Sequence, residues 1–215
     1  MRILSINALQ RFNAWNAERA GEALALARYA HDCGAEMLVL CPVNDVSYRL
    51  AESERLSGLR DALRGLAPIL ADAGVAGLVE PLGFQESSLR LQSEAVEAIE
   101  DLDLGDRFRT VHDTFHHYLA GEPHMLPDWI GLVHLSGVHD QSLPLGALRD
   151  AHRGLVDADD RLGNIAQITA LLAGGYDGPF SFEPFAASVH ASHDIEGALA
   201  TSMHWIDAEL AKAQV

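Results

Sequence analysis

Six short apolar runs, separated by longer amphipathic stretches, recur along the chain. They are residues 2–9 (RILSINAL), 37–43 (MLVLCPV), 76–82 (AGLVEPL), 108–115 (FRTVHDTF), 130–138 (IGLVHLSGV) and 179–185 (PFSFEPF). Most are solid apolar blocks rather than alternating ones, the pattern of parallel strands covered on both faces. Between them, residues 17–33 carry Ala20, Ala23, Leu24, Ala27, Ala30 and Cys33 on one helical stripe, with Asn16 as N-cap and Gly34 past the end. In residues 52–73, Leu56, Leu59, Leu63, Leu66 and Leu70 recur at helical spacing, Pro68 is expected to kink the helix and Gly74 to stop it. Further helices are expected over 88–99, 164–173 and 194–211. A strand–helix unit repeated in this way specifies an α/β fold with a parallel sheet.

Two architectures compete. A doubly wound nucleotide-binding sheet requires a glycine fingerprint after its first strand, and Asn7-Ala-Leu-Gln-Arg stands there instead. A TIM-type (β/α) barrel places polar catalytic groups at the carboxyl ends of several strands, and that pattern is present. Residues 136–163, a long polar stretch between two strands, have the length of a functional loop.

With 215 residues, 48% apolar and 21% charged, the chain suits one globular domain, residues 1–215. Fifteen Lys+Arg against 31 Asp+Glu give a formal charge of -16, a surface that repels nucleic acid and anionic membranes. Cys33 and Cys41 form neither a metal-type spacing nor a disulfide framework, as in a reducing compartment. No secretory h-region and no membrane-length apolar run is legible, so a soluble, cytoplasmic protein is expected.

Four consecutive runs end on a metal-type ligand: Glu80 closes AGLVE, Asp113 closes RTVHD, His134 closes GLVH and Glu183 closes FSFE. In a parallel barrel these ends converge on one rim, so side chains 33, 21 and 49 residues apart can meet. Singly, each has a plain structural explanation, a solvated strand end or a core histidine. Four in succession favour a site for one divalent ion, with Mn, Mg, Co and Zn all suited to an oxygen/nitrogen set without thiolates. His112 should point away from Asp113, because strand neighbours alternate. His116, three residues beyond Asp113, is placed to contact a substrate hydroxyl, whereas His117 and His124 read as surface or loop.

Glu80, the Asp113-Thr-Phe-His116 motif, the His134-Leu-Ser-Gly strand end and the Ser-Phe-Glu183-Pro-Phe strand end resemble the xylose-isomerase-like TIM-barrel superfamily of sugar isomerases and epimerases. Within it the similarity is closest to the inosose (2-keto-myo-inositol) isomerases of inositol catabolism, and Asn7-Ala-Leu and Asp150-Ala-His-Arg153 share in it. The resemblance implies a divalent metal held by Glu80, Asp113, His134 and Glu183. It implies a small polyhydroxy ketone as substrate, and Glu80 and Glu183 as the groups that remove and return the proton beside the ketone, through an enediolate. His116, Arg153 and Asn7 would hold substrate oxygens. Pro81 and Pro184, which follow the two glutamates, are compatible with extended geometry there.

Two other activities share the scaffold. Dehydratases of keto-polyols or dehydroshikimate-like acids would use the same metal, but a carboxylate substrate calls for more cations than Arg153 and Arg161. DNA-repair endonucleases need more ligands and a basic groove. A non-enzymatic binding module is the remaining alternative, because family barrels have eight strands with the ligands on the fifth to eighth, and here Glu80 follows the third. The expectation is therefore an incomplete barrel of six strands, N-terminally truncated by two β-α units, on the order of 60 residues. Residues 2–9 and 179–185 would be its open edges, able to pair in a homo-oligomer.

Overall fold

The computed structural model describes residues 3–213, with side chains described from residue 9. Six strands form one parallel sheet in sequence order: β1 (Ile3–Leu9), β2 (Ala35–Leu40), β3 (Ala76–Val79), β4 (Phe108–Asp113), β5 (Ile130–Leu135) and β6 (Phe180–Phe182). Each neighbouring pair is joined through a helical connection. The helices are α1 (Ala17–Asp32), α2 (Glu52–Ala73), α3 (Gln92–Asp101), α4 (Thr114–Ala120), α5 (Asn164–Ala173), α6 (Ala187–His190) and α7 (Ile195–Ala213). Among the described residues β1 pairs only with β2 and β6 only with β5, so the curled sheet is an incomplete (β/α) barrel of six strands, as expected.

Local chemistry sets the helix ends. The Asn16 side chain accepts from the Arg19 backbone N–H and caps α1. Gly74 ends α2 in the left-handed region at φ 66, where a residue without Cβ carries no steric penalty. The helix continues through Pro68 to Ala73. α3 begins at Gln92, later than the expected 88, because Ser88 is drawn into the loop after β2: its hydroxyl donates to the Val43 carbonyl at 2.9 Å and takes the Asn13 amide at 2.9 Å.

Strand alternation divides the core. Leu38, Leu40, Val79 and Phe108 point outward and pack under the Leu59, Leu63, Leu66 and Leu70 stripe of α2. Val133 and Leu135 face outward against Ile168 and Leu171 of α5 and Ile206 of α7, and Ile130 joins them because the β4–β5 register shifts by one residue between Ile130 and Leu132. Val39, Leu78, Val111 and Leu132 point inward and fill the barrel interior with a separate apolar plug. The plug is the floor on which the site stands.

The connection from β5 to α5 is long but pinned. Gly137 and Gly154 exchange backbone hydrogen bonds at 2.9 and 2.7 Å. Asp160 accepts from the backbone N–H groups of Val138, Leu162 and Asn164, each at 3.1 Å. A Cβ at Gly137 would lie 2.5 Å from the Leu155 carbonyl oxygen, so the backbones approach as closely as only glycine permits. Gly137→Ala is expected to cost about 1–3 kcal/mol, read as a lower urea midpoint, and to loosen everything the loop carries. A midpoint equal to wild type would show that the loop can shift freely.

Candidate metal centre

Residues two apart on a strand share a face. Above inward Val39, Leu78, Val111 and Leu132 therefore come Cys41, Glu80, Asp113 and His134 as the next inward groups. The register aligns them, since Val39 pairs with Leu78, Val111 with Leu132 and Asp113 with His134. Glu183 follows β6 directly and adds a fifth group to the layer.

One ligand atom from each of Glu80, Asp113, His134 and Glu183 can be chosen so that all four lie within 4.8 Å of one another. His134 Nδ1 is 2.9 Å from Glu80 Oε1, 3.4 Å from Glu183 Oε2 and 3.9 Å from Asp113 Oδ2. Ligands bound to a common zinc-sized ion at about 2.0–2.2 Å stand roughly 3–3.6 Å apart, and the His134 spacings of 2.9, 3.4 and 3.9 Å straddle that range. The donor set, three carboxylates and one imidazole, suits zinc or a harder divalent ion. Glu80, Asp113 and His134 are buried, while the Glu183 side chain is 31% exposed at the rim.

Each ligand is oriented by a bond to its own surroundings. Asp113 ends β4 and caps α4: Oδ1 accepts from the Phe115 and His116 N–H groups at 2.8 and 3.0 Å, leaving Oδ2 for the cluster. Glu80 turns Oε1 to His134, and its Oε2 accepts from the Cys41 thiol at 3.3 Å. Arg153, delivered by the pinned loop, is 1% exposed. Its Nη2 donates to Asp113 Oδ2 at 2.5 Å and Glu183 Oε2 at 2.8 Å, its Nε to Ser136 Oγ at 3.0 Å and its Nη1 to Asp150 Oδ1 at 3.2 Å. The guanidinium also lies over the Phe115 and Phe185 rings, 5.1 and 4.9 Å from their centroids.

So dense a cluster displaces its protonation equilibria. Burial works against the Asp113 carboxylate, but Arg153 and then the two histidines hold it well below the usual carboxylate range. Burial opposes protonation of His134 too, yet hydrogen bonds to Glu183 and Glu80, and their charges, push it up to about 10. Glu80 moves down, its burial outweighed by the His134 hydrogen bond and charge, whereas burial and the charge of Glu80 move Glu183 up. The two glutamates are thus driven in opposite directions. Burial, then Glu80, raises Cys41 and keeps it a neutral thiol.

The four residues read as metal ligands are brought together. His116 and Arg153 line the same cleft, of about 640 Å³, within the ~300–1,000 Å³ usual for small-molecule sites. The His116 Nδ1 accepts the Gly83 backbone N–H at 3.3 Å, so Nε2 carries the hydrogen. The Asn7 side chain lies outside the described residues. His112 points outward, its Nε2 2.9 Å from Gln167 Oε1, and burial lowers it to about 4. The His117 ring on α4 lies 4.7 Å from it, tilted by 43°, and His124 is exposed. Sequence reasoning gave no role to Cys41, Ser136 or Asp150: the alternation that selects Glu80 also selects Cys41, and the other two fall inside the His134-Leu-Ser-Gly and Asp150-Ala-His-Arg153 motifs without a role of their own.

Over residues 1–209 the chain matches the family model described as xylose isomerase-like TIM barrel. No curated protein matches it. A xylose isomerase domain-containing protein of Salmonella typhimurium LT2 is 34% identical, with 96% of this chain and 76% of that one covered and a TM-score of 0.85. The IolI protein with a bound zinc atom is 20% identical, covering 98% of this chain and 77% of its own, at TM-score 0.86. An L-ribulose 3-epimerase is 18% identical, covering 99% and 76%, at TM-score 0.71. The latter two share the fold. The near-complete family match and the 34% identity show more: this chain belongs to the xylose isomerase-like TIM-barrel family.

Proposed function

We propose that the chain is a divalent-metal-dependent isomerase or epimerase of a small polyhydroxy ketone, with an inosose as the favoured substrate. The observation that carries the reading is the meeting of four ligand atoms within 4.8 Å at the ends of four consecutive parallel strands. The zinc-bound IolI protein and the ketose epimerases of the same fold support it. A divalent ion in this set supplies Lewis-acid polarisation of a ketone and stabilises the negative charge that develops on it.

The chain's own residues supply the proton transfer. One of Glu80 and Glu183 takes the proton from the carbon beside the ketone, and the C–H electron pair passes into the enediolate. The other, in its acid form, returns a proton to the opposite face, or to the former carbonyl carbon while the hydroxyl proton of the enediolate passes to the adjacent oxygen, and a second transfer resets the pair. Positioned acid–base groups of this kind contribute ~10²–10⁴-fold. Cys41 holds Glu80 through Oε2, and Arg153 holds Asp113 and Glu183. His116 Nε2–H donates to a substrate oxygen, while Phe84 and Phe185 give the cleft an apolar wall.

Incubation of the metal-loaded chain with inososes and ketoses in D₂O is expected to place deuterium on the carbon beside the ketone. Glu80→Gln and Glu183→Gln should each abolish the exchange. A metal-loaded wild type that exchanges no proton on any of these ketones would sink the reading.

A further inference from the structure

We infer that the cleft selects uncharged polyol ketones and turns away their phosphate esters and carboxylate analogues, with Asp150 as the specificity-determining residue. The inference rests on the metal-site reading above and narrows its substrate class.

A sugar phosphate or keto acid needs a cation with free donors. Among the described side chains lining the cleft, Arg153 is the sole guanidinium or ammonium. Four of its five N–H groups are engaged by Asp113, Glu183, Ser136 and Asp150, and its faces lie against Phe115 and Phe185. A group so held balances the acidic cluster instead of reaching for a ligand. Arg149 sits behind Phe84, 5.9 Å from its ring, and gives Nη1 to the carbonyls of Gly146 and Leu148. Arg161 is likewise spent on the carbonyls of Asp140 and Leu143. The N–H groups opening α4, another anion-binding feature, are already occupied by Asp113.

Charge points the same way. With a divalent ion bound and His134 neutral, three carboxylates, one guanidinium and the ion sum to zero. Asp150 lies outside that balance, its side chain 48% exposed while lining the cleft, and makes the mouth negative. An incoming phosphate of nearly two negative charges meets repulsion there. Hydroxyl groups meet hydrogen-bonding side chains instead, namely Gln10, Asn44, Ser181 and His116.

The test uses the full chain loaded with Co(II), whose visible spectrum reports ligands entering the site without requiring turnover. D-Fructose and 2-keto-myo-inositol serve as neutral probes, and D-fructose 6-phosphate as the charged one. For wild type, the phosphate ester is expected to bind at least about tenfold more weakly than its parent sugar. Asp150→Asn and Asp150→Ser should each lower the ester's Kd at least about tenfold by freeing the Arg153 Nη1 and removing the negative mouth, whereas Asp150→Glu keeps the rejection. Equal wild-type affinity for ester and parent, or an ester Kd unmoved in both neutral variants, overturns the inference while leaving the metal site standing. A chain that takes up no cobalt overturns the metal reading and this inference with it.

Discussion

Replacing Arg153 by leucine is expected to destabilise the metal-free chain by about 3–5 kcal/mol and, at the same time, to tighten its hold on a divalent ion. Arg153 is the buried counter-charge of Asp113 and Glu183, at 2.5 and 2.8 Å. Leucine restores much of the packing volume against Phe115 and Phe185 but leaves the buried Asp113 carboxylate without its cation. Breaking a buried pair from one side carries that penalty because the remaining charge stays out of water. A bound divalent ion neutralises the same carboxylates, so it should recover much of the loss: binding to the folded state alone contributes about 2.7 kcal/mol at a hundredfold excess over Kd. Urea melts with chelator and with Zn or Mn, beside calorimetric titration of the metal, check both halves. A variant equally destabilised with and without metal would show that Arg153 acts through packing alone.

Asp113→Asn is expected to abolish tight metal uptake, lowering affinity by at least about a hundredfold, while sparing the helix it caps. Asparagine is as good an N-cap as aspartate, so the bonds to Phe115 and His116 persist and α4 stays in place. What disappears is the anionic Oδ2 that faces His134 and Arg153. Elemental analysis after dialysis should find about one divalent ion per wild-type chain and none in the variant. A variant that retains a full complement would remove Asp113 from the ligand set.

Wild-type affinity should also climb with pH. His134 without metal is held protonated up to about 10, and it must lose that proton to become a ligand. Affinity is therefore expected to rise by about tenfold per pH unit until pH passes that value. The same group has the opposite effect on the metal-free fold. Its pKa is raised from 6.5 to about 10, so its stabilisation is complete below pH 6.5 and fades as pH rises through about 10. Melts of chelator-treated protein at pH 6, 8 and 10 should fall in that order, and a flat profile would contradict the His134 assignment.

Much of the architecture was legible because it is written in local chemistry. α5 runs over Asn164–Ala173 as its periodicity indicates, and α2 over Glu52–Ala73 between its expected ends. Strand existence was clear and strand length less so: β6 covers only Phe180–Phe182, because at Glu183 the backbone turns toward Arg153, whose carbonyl takes the Phe185 and Ala186 N–H groups. The short helix α4 has no sequence counterpart: its first two residues fall in the strand-like run 108–115 and the rest reads as loop, since the Thr-Phe-His-His segment has no helical apolar stripe long enough to register and depends on the Asp113 cap.

Sequence by itself determined the β-α order, the parallel sheet and the four strand-end side chains that meet in the candidate site, because strand alternation and strand-end position are properties of a few consecutive residues. Tertiary structure alone decided how the ligands are compensated. Arg153 meets Asp113 across 40 residues and Glu183 across 30, and Cys41 meets Glu80 across 39. Those meetings depend on the curl of the sheet and on the Gly137–Gly154 closure of a polar loop, and no local pattern encodes which loop residue such a closure drives into the barrel. Physically, the turn of each strand is paid for within a few residues, whereas the charge balance of a buried site is settled only when distant segments exclude water together.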